Sequence, residues 1–370
     1  MLTPTEFHRY GRHLALAEVG LDGQERLKRA RVLIVGAGGL GSPASLYLAA
    51  AGVGVIGLMD SDQVELANLQ RQILHDTSAL GRPKTDSGAT RLRALNPEIE
   101  IRPIRQRLTI DNARGLFAEF DFVLDGTDNF PTRYLINDAA VLTGKPYLYG
   151  SIARFEGQVS VFGASGGPCY RCLFPEPPPP GLVPNCADAG VLGVLPGVIG
   201  TLQAVEAIKL ILGLGRPLIG RLLCYDALAA TFRDWAIHRD AQCVACGDGL
   251  RRTELMAEDD RCPASGFDPA EISGAETARA VASGLILLDV REPWEFALGH
   301  IAGSVHIPLD QLEGRIAELD PQRPVVAICH RGARSRLARG MLIQAGFQAR
   351  SLRGGIDGWS ADIDPAIPRY

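Results

Sequence analysis

Residues 31–41 read Arg-Val-Leu-Ile-Val-Gly-Ala-Gly-Gly-Leu-Gly, an apolar run cut off by closely spaced glycines. No other stretch limits the fold as much. The run at 32–35 is rich in β-branched residues and fits a strand buried on both faces of a parallel sheet. Gly36, Gly38, Gly39 and Gly41 let the backbone turn tightly and approach an anion, and a helix over 40–51 then offers its N-terminal amides and dipole. A second strand over 53–59 ends on Asp60, where a carboxylate accepts hydrogen bonds from ribose hydroxyls. Glycines alone would mean a tight turn. Strand before, helix after and an acid closing the next strand make it a nucleotide cradle, of unspecified nucleotide.

A chain of 370 residues exceeds one typical core, so two domains are expected. The net charge of -4 argues against nucleic acid, which calls for a basic face, and leaves proteins and small molecules as partners. Eight cysteines, with two Cys-x-x-Cys pairs, point to metal or thiol chemistry in a reducing compartment rather than a disulfide framework. No apolar signal segment opens the chain. The longest apolar stretch, 191–202, is too short to span a bilayer and runs on into Glu206 and Lys209. The expectation is a cytoplasmic protein without a membrane partner.

Residues 6–14 read as a polar helix carrying Arg9, Arg12 and His13, which also fits a solvated surface helix. Arg71 and Lys84 sit near helix starts, where a cation gains nothing from the dipole and a bound anion would explain it. A strand over 98–104 and a helix over 111–117 lead to a strand ending at Asp125. Asp128 and Asn129 thus fall on the ligand edge of an open α/β sheet. Strands at 147–152 and 157–162 belong to a mixed sheet, and 174–181 is a stiff polyproline loop continuing to Cys186. An amphipathic helix over 200–212 turns Leu202, Val205, Ile208, Leu210 and Ile211 to a core. After a strand at 221–225, which carries Cys224 as a core residue, and a segment ending in Trp235, the first domain closes at 247. Residues 248–266 have linker composition. The second domain, 267–370, alternates strands at 285–290, 325–329 and 348–352 with helices at 276–282 and 335–345.

Cys169, Cys172, Cys243 and Cys246 form two knuckles, together a tetrahedral set suited to structural zinc, a clip between distant segments. Two redox pairs or unligated thiols are the alternatives. A dehydrogenase needs a proton donor or metal to polarise a carbonyl, and the expected strand ends carry no His or Lys for it. In the second domain Cys329-His330-Arg331-Gly332-Ala333-Arg334 places a cysteine at a strand end entering a helix. Amides of such a loop form an anion nest, and the helix dipole with two arginines lowers the thiol pKa, which makes Cys329 a nucleophile. Four residues separate Cys329 from Arg334, one fewer than in the protein-phosphatase loop, which favours a persulfide sulfur over a phosphoryl group.

Arg9-Tyr-Gly-Arg12, the glycine turn, Asp60-Ser-Asp62, Asn68-Leu-Gln-Arg71-Gln72, Lys84, Asp125-Gly-Thr-Asp128-Asn129 and the paired cysteines resemble the ubiquitin-activating superfamily over residues 5–247. Within it they resemble the bacterial-type enzymes that adenylate ubiquitin-like sulfur carriers for molybdopterin (molybdenum cofactor) or thiamine synthesis. Asp289-Val-Arg291-Glu, Gly299-His300, His306-Ile-Pro308, the Cys329 loop and Gly354-Gly355-Ile-Asp-Gly358-Trp359 resemble the rhodanese sulfurtransferases over 270–370.

The resemblance implies a Rossmann-like α/β adenylating domain with a mixed sheet and a four-cysteine zinc clip, joined to a small α/β rhodanese domain. ATP would be held by Gly36, Gly38, Gly39, Gly41, Asp60, Asp62, Asn68, Arg71, Gln72, Lys84, Asp128 and Asn129. Arg71 and Lys84 would gather the negative charge, and Asp128 would hold Mg²⁺. An arginine matching Arg12 reaches the neighbouring subunit's triphosphate in that family, which implies a homodimer. Cys186 occupies a loop whose cysteine, in the family, links covalently to the carrier or to sulfur. Read by itself, Cys186 is equally a small buried hydrophobe. The implied reaction joins ATP to the carrier's C-terminal glycine, releasing pyrophosphate. A persulfide on Cys329, loaded by a cysteine desulfurase or thiosulfate, then gives a carrier thiocarboxylate and AMP. The alternative is an activator of a ubiquitin-like protein modifier that passes on a thioester.

Overall fold

In a computed structural model the described residues are 1–178, 190–249, 252–256, 270–281 and 284–369. Cys186 and much of the expected linker lie outside them. The chain falls into two compact units, the first containing residues 1–177 and the elements through Ala236, the second the elements from Glu271 onward.

The first unit is built on an eight-stranded sheet, in the order β3-β2-β1-β4-β5-β6-β7-β8. Its strands are β1 Arg31–Val35, β2 Val55–Met59, β3 Glu100–Ile104, β4 Phe122–Asp125, β5 Tyr147–Ala153, β6 Glu156–Phe162, β7 Arg221–Asp226 and β8 Thr231–Ala236. β3 to β5 run parallel and β5 to β8 antiparallel, so the sheet is mixed as expected. β1 lies between β2 and β4, and a central parallel strand covered on both sides is apolar along its buried length, here Val32 to Val35. Val32 and Ile34 pack with the helices Gly41–Ala51 and Leu195–Leu212, whereas Leu33 and Val35 pack with Ile110–Glu119 and Phe130–Thr143. The N-terminal segment is two helices, Pro4–Arg9 and Gly11–Leu14, rather than one. Tyr10, buried between them, accepts a hydrogen bond from Asn96 Nδ2.

The helix expected over 200–212 starts five positions earlier, as Leu195–Leu212, with Pro196 in its first turn where no amide is needed. Of the residues expected inward, Leu202, Ile208, Leu210 and Ile211 are partly buried against the core as expected, and Val205 is not. Ile199, Gln203, Ala204, Glu206 and Ala207 are buried, and Val205 is 44% exposed. Gln203 Nε2 donates to the carbonyls of Asp125 and Leu148, and Glu206 accepts from the Leu218 amide. A hydrophobic period counts these two buried polar side chains as outward. Its 18 residues and mean hydropathy of 1.5 would suffice for a membrane span, yet it serves here as a core helix of the sheet.

The second unit holds a five-stranded, wholly parallel sheet in the order β11-β10-β12-β13-β9. Its strands are β9 Glu271–Ile272, β10 Ile286–Asp289, β11 Val305–His306, β12 Val325–Ile328 and β13 Ala349–Leu352. β9 and β11 have two residues each, too short for a sequence period. β12 delivers the chain to Cys329, and the helix Ala333–Gln344 leads away.

Candidate functional site

The four glycines divide by role. Gly36 has a left-handed φ of 100°, and a Cβ on it would lie 2.7 Å from Gly126 O at the tip of β4. A Cβ on Gly41 would run into Gly36 O. These two are demanded by the turn's own packing. Gly38 meets only Gln72 Nε2, at 3.7 Å, and Gly39 faces Pro196 and Arg71 Cδ, the latter at 3.8 Å. The structure therefore brings Arg71 and Gln72 to the face of the turn left for a ligand.

Asp60 Oδ2 accepts from the Ala37 amide and Oδ1 from the Asp62 amide, each at 2.8 Å. Its carboxylate thereby ties the turn to the end of β2. Lys84 is buried at the start of the helix Lys84–Leu95, its Nζ 3.1 Å from Asp62 Oδ2. The anion expected beside this lysine is thus already present in the chain. Arg71 donates to Ala67 O, and Asn68 accepts from the Glu65 amide, so both shape their own turn. Asn129 caps the helix Phe130–Thr143 through the Thr132 amide.

Asp128 is exposed and has no hydrogen bond or ion pair among the described residues. It is presented by a rigid tip: Asp125, fully buried, accepts from the Thr127 amide and hydroxyl, and Arg133 donates to Thr127 O. Burial pushes the Asp125 carboxyl up, against the pull of Arg133, whose Nε lies 3.4 Å away. Arg12 is not brought to this edge within one chain. His13 next to it bonds Gln24, which donates to Ala51 O at the far end of the helix that the glycine turn begins.

Sequence reasoning missed His75. The ring is buried; Nε2–H donates to Ala37 O at 2.9 Å, and Nδ1 accepts from the Ser87 hydroxyl at 3.0 Å. The carbonyl can only accept, which fixes this tautomer. Burial pushes His75 down, and Lys84 adds to that. A lone histidine between Leu74 and Asp76 carries no sequence signal of such a bridge.

The Sγ atoms of Cys169, Cys172, Cys243 and Cys246 lie within 4.8 Å of one another. Sulfurs 2.3 Å from a tetrahedral ion are about 3.8 Å apart. The observed Cys169–Cys243, Cys172–Cys246 and Cys169–Cys172 separations are 3.5, 3.4 and 3.9 Å. The contacts between the pairs are shorter than that within the first pair, which fits one four-sulfur site and not two redox couples. Burial and neighbouring thiols push Cys169 far up and Cys246 up to about 12, a cost that a bound cation removes. The Asp240 amide donates to Cys172 Sγ. Inside the first knuckle, Arg171 forms a bidentate pair with buried Asp138 at 2.8 Å on each arm, and Arg252 reaches the same carboxylate at 3.0 Å.

Cys329 is 1% exposed, and the Gly332 amide donates to its Sγ at 3.0 Å. Gly332, at φ 111°, makes that inward turn. The helix Gly355–Asp362 clamps the loop from its other side, with the Ile356 and Asp357 amides donating to the carbonyls of Cys329 and His330. Both arginines expected to favour the thiolate are paired elsewhere. Arg334 is bidentate to Glu295 at 2.6 and 2.7 Å, and exposed Arg331 sits 3.9 Å from Asp357. Burial pushes His330 down. Among the described residues, the hydrogen-bonding groups at the sulfur are the Gly332 amide and the Ser335 hydroxyl, the latter 3.4 Å away. Glu295 and Ser335 were not foreseen.

Residues 10–245 match the ThiF family, and residues 273–362 match the rhodanese-like domain. Over its full length the chain is 46% identical to a Mycobacterium tuberculosis protein named probable adenylyltransferase/sulfurtransferase MoeZ, covering 96% of that protein. Over 69% of the chain it is 53% identical to the sulfur carrier protein adenylyltransferase of Thermus thermophilus, covering 96% of it. The crystal structure of E. coli MccB with MccA-N7isoASN shares the fold, with a TM-score of 0.57 and 24% identity over 65% of this chain and 74% of that one. With both sites and both domains in one polypeptide, the chain belongs to the ThiF family and is an adenylyltransferase that carries its own rhodanese-like sulfurtransferase domain.

Proposed function

We propose that the first unit adenylates the C-terminal glycine of a ubiquitin-like sulfur carrier protein and that Cys329 supplies the sulfur that makes its thiocarboxylate. The observation that carries this reading is the convergence of Gly38, Gly39, Asp60, Arg71, Gln72 and Lys84 on one strand-end edge, in a chain that also holds the Cys329 nest. The likeness to a sulfur carrier protein adenylyltransferase supports the substrate.

The turn's amides and Arg71 hold the phosphates, and Asp60 and the backbone beside it orient the ribose. The glycine carboxylate attacks the α-phosphorus and the bond to pyrophosphate breaks. Two anions meet in that step, so fixed cations lower its barrier. Asp128 is an oxygen donor with no competing partner and would hold Mg²⁺, which when bound takes charge from the leaving pyrophosphate. A persulfide on Cys329, loaded by thiosulfate or a cysteine desulfurase, attacks the acyl adenylate and expels AMP; a thiol then cleaves the acyl disulfide to free the thiocarboxylate. The four cysteines would hold zinc as a structural clip, having no open position for substrate.

Two copies would act together. Arg12 is exposed and remote from its own turn, beside a shallow cavity of about 200 Å³ lined by His13, Tyr47, Ala51, Val205 and Ile208. Tyr47 and Val205 are 58% and 44% exposed, an apolar face for a second copy that would put Arg12 at the neighbour's triphosphate. Residues 1–247 and 267–370 would be the two domains, 248–266 the linker, and the cytoplasm the compartment in which these thiols stay reduced. Molybdopterin and thiamine synthesis are the pathways proposed. The test is carrier-dependent exchange of labelled pyrophosphate into ATP, followed by mass spectrometry of the carrier after thiosulfate is added. No exchange with any candidate carrier would overturn the reading.

A further inference from the structure

Ser335 and Ser351 are both fully buried. Ser351 lies on β13, in a sheet whose strand interiors are otherwise mostly apolar. A hydroxyl buried there costs free energy unless it is bonded. Its partner is Ser335 Oγ at 2.7 Å. Ser335 Oγ in turn lies 3.4 Å from Cys329 Sγ and 3.1 Å from Gly332 O.

We propose that Ser351 and Ser335 form a two-hydroxyl relay that positions a proton donor on Cys329 Sγ whenever that sulfur carries negative charge. A hydroxyl has one proton and two lone pairs, which limits the arrangements. With the thiol, S–H donates to Ser335 Oγ and the Ser335 proton points to Gly332 O. With the thiolate, the proton having left to water, the Ser335 O–H swings to Sγ. Gly332 O is not stranded by that swing, because the Arg336 amide also donates to it at 3.1 Å. Ser351 donates to Ser335 Oγ in both states, and a hydroxyl that accepts a bond donates a stronger one. The sulfur is anionic twice in a cycle. It is the thiolate that displaces the leaving group from the sulfur donor to form the persulfide S–S bond. It is a thiolate again when a second thiol reduces the mixed disulfide left on Cys329 after a first thiol has cleaved the acyl disulfide and the thiocarboxylate has departed.

The charged groups around the loop are Arg331 and His330 within it, Arg334 with Glu295, Asp357 with Arg331 and Arg369, and Arg336 with Glu271. All persist when either serine is replaced. The relay rests on Cys329 being the sulfur-carrying nucleophile, but its test does not need transfer activity. In the full-length protein, the rate of iodoacetamide alkylation of Cys329 is followed against pH by mass spectrometry of its peptide. Ser335→Ala moves the midpoint up by about one to two pH units. Ser351→Ala moves it by a smaller amount, and the double variant matches Ser335→Ala alone, since Ser351 acts only through Ser335. A merely structural role would lower the melting temperature and leave the midpoint in place. An unmoved midpoint in Ser335→Ala overturns the relay, as does a Ser351→Ala shift that adds in full to that of Ser335→Ala.

Discussion

The nucleotide cleft of the first unit is gathered from turns far apart in sequence, whereas nearly every group touching Cys329 Sγ comes from the single loop of residues 329–335. On the proposed reading both receive negative charge, by different means. The cleft uses side-chain cations beside a glycine turn, and its lysine is held by a carboxylate from another loop. The sulfur loop uses a backbone amide and a hydroxyl, while its arginines are engaged with Glu295 and Asp357. A triphosphate brings several charges and a hydrated cation, so long side chains suit it. A single sulfur is matched by short, dry, fixed donors.

If the two sites are independent machines, single substitutions should silence one and spare the other. Cys329→Ala has the largest expected effect: thiosulfate sulfurtransfer falls to background while carrier-dependent pyrophosphate exchange stays within about twofold. Thiocarboxylate formed at full yield by this variant, with no other sulfur source, would make the second unit a passenger. Asp128→Ala is the mirror case, with pyrophosphate exchange reduced by about 10²–10³-fold and sulfurtransfer unchanged. Normal exchange would remove the Mg²⁺ assignment. Cys172→Ser sharpens the contrast in stability: calorimetry should show the first unit melting about 5 °C or more lower, with loss of bound metal and no change in the second unit. An unchanged melting point would dismiss the clip.

The smallest effect is at His75. Gln places its amide nitrogen near Nε2 and keeps the bond to Ala37 O, whereas Asn reaches only toward Ser87. The KM for ATP should therefore rise about tenfold in His75→Asn and much less in His75→Gln, with kcat little changed. The same residue sets a pH dependence. Burial holds His75 below its ordinary value of 6.5, so the unfolded chain takes up the proton first and stability falls as pH drops below about 6.5. Urea unfolding of His75→Gln should show a shallower loss from pH 7 to pH 5, and an unchanged slope would assign that loss to other groups.

What the sequence disclosed was whatever is local. The run at 32–35 with its glycines, the Cys-x-x-Cys pairs and the Cys329 loop are contiguous, and their chemistry follows from neighbours along the chain. What it concealed was pairing between buried polar groups. Nothing at 295 announces that Glu295 will neutralise Arg334, and nothing at 203 that a glutamine will bridge Asp125 O and Leu148 O. The helix Leu195–Leu212 shows why: Leu202, Ile208, Leu210 and Ile211 pack against the core as the period expects, but a hydrophobic period counts the buried Gln203 and Glu206 as outward.

The four-cysteine cluster also sets an order in time. Cys169 and Cys243 are 74 positions apart, as are Cys172 and Cys246, so on a growing chain the first pair waits through the synthesis of the helix Leu195–Leu212 and the hairpin β7–β8 before its complement emerges. Until Cys246 clears the ribosome, the first pair is an open half-site of two thiols. A truncated or stalled product ending before that point would hold only half of the proposed four-sulfur site, with both of its thiols open to oxidation.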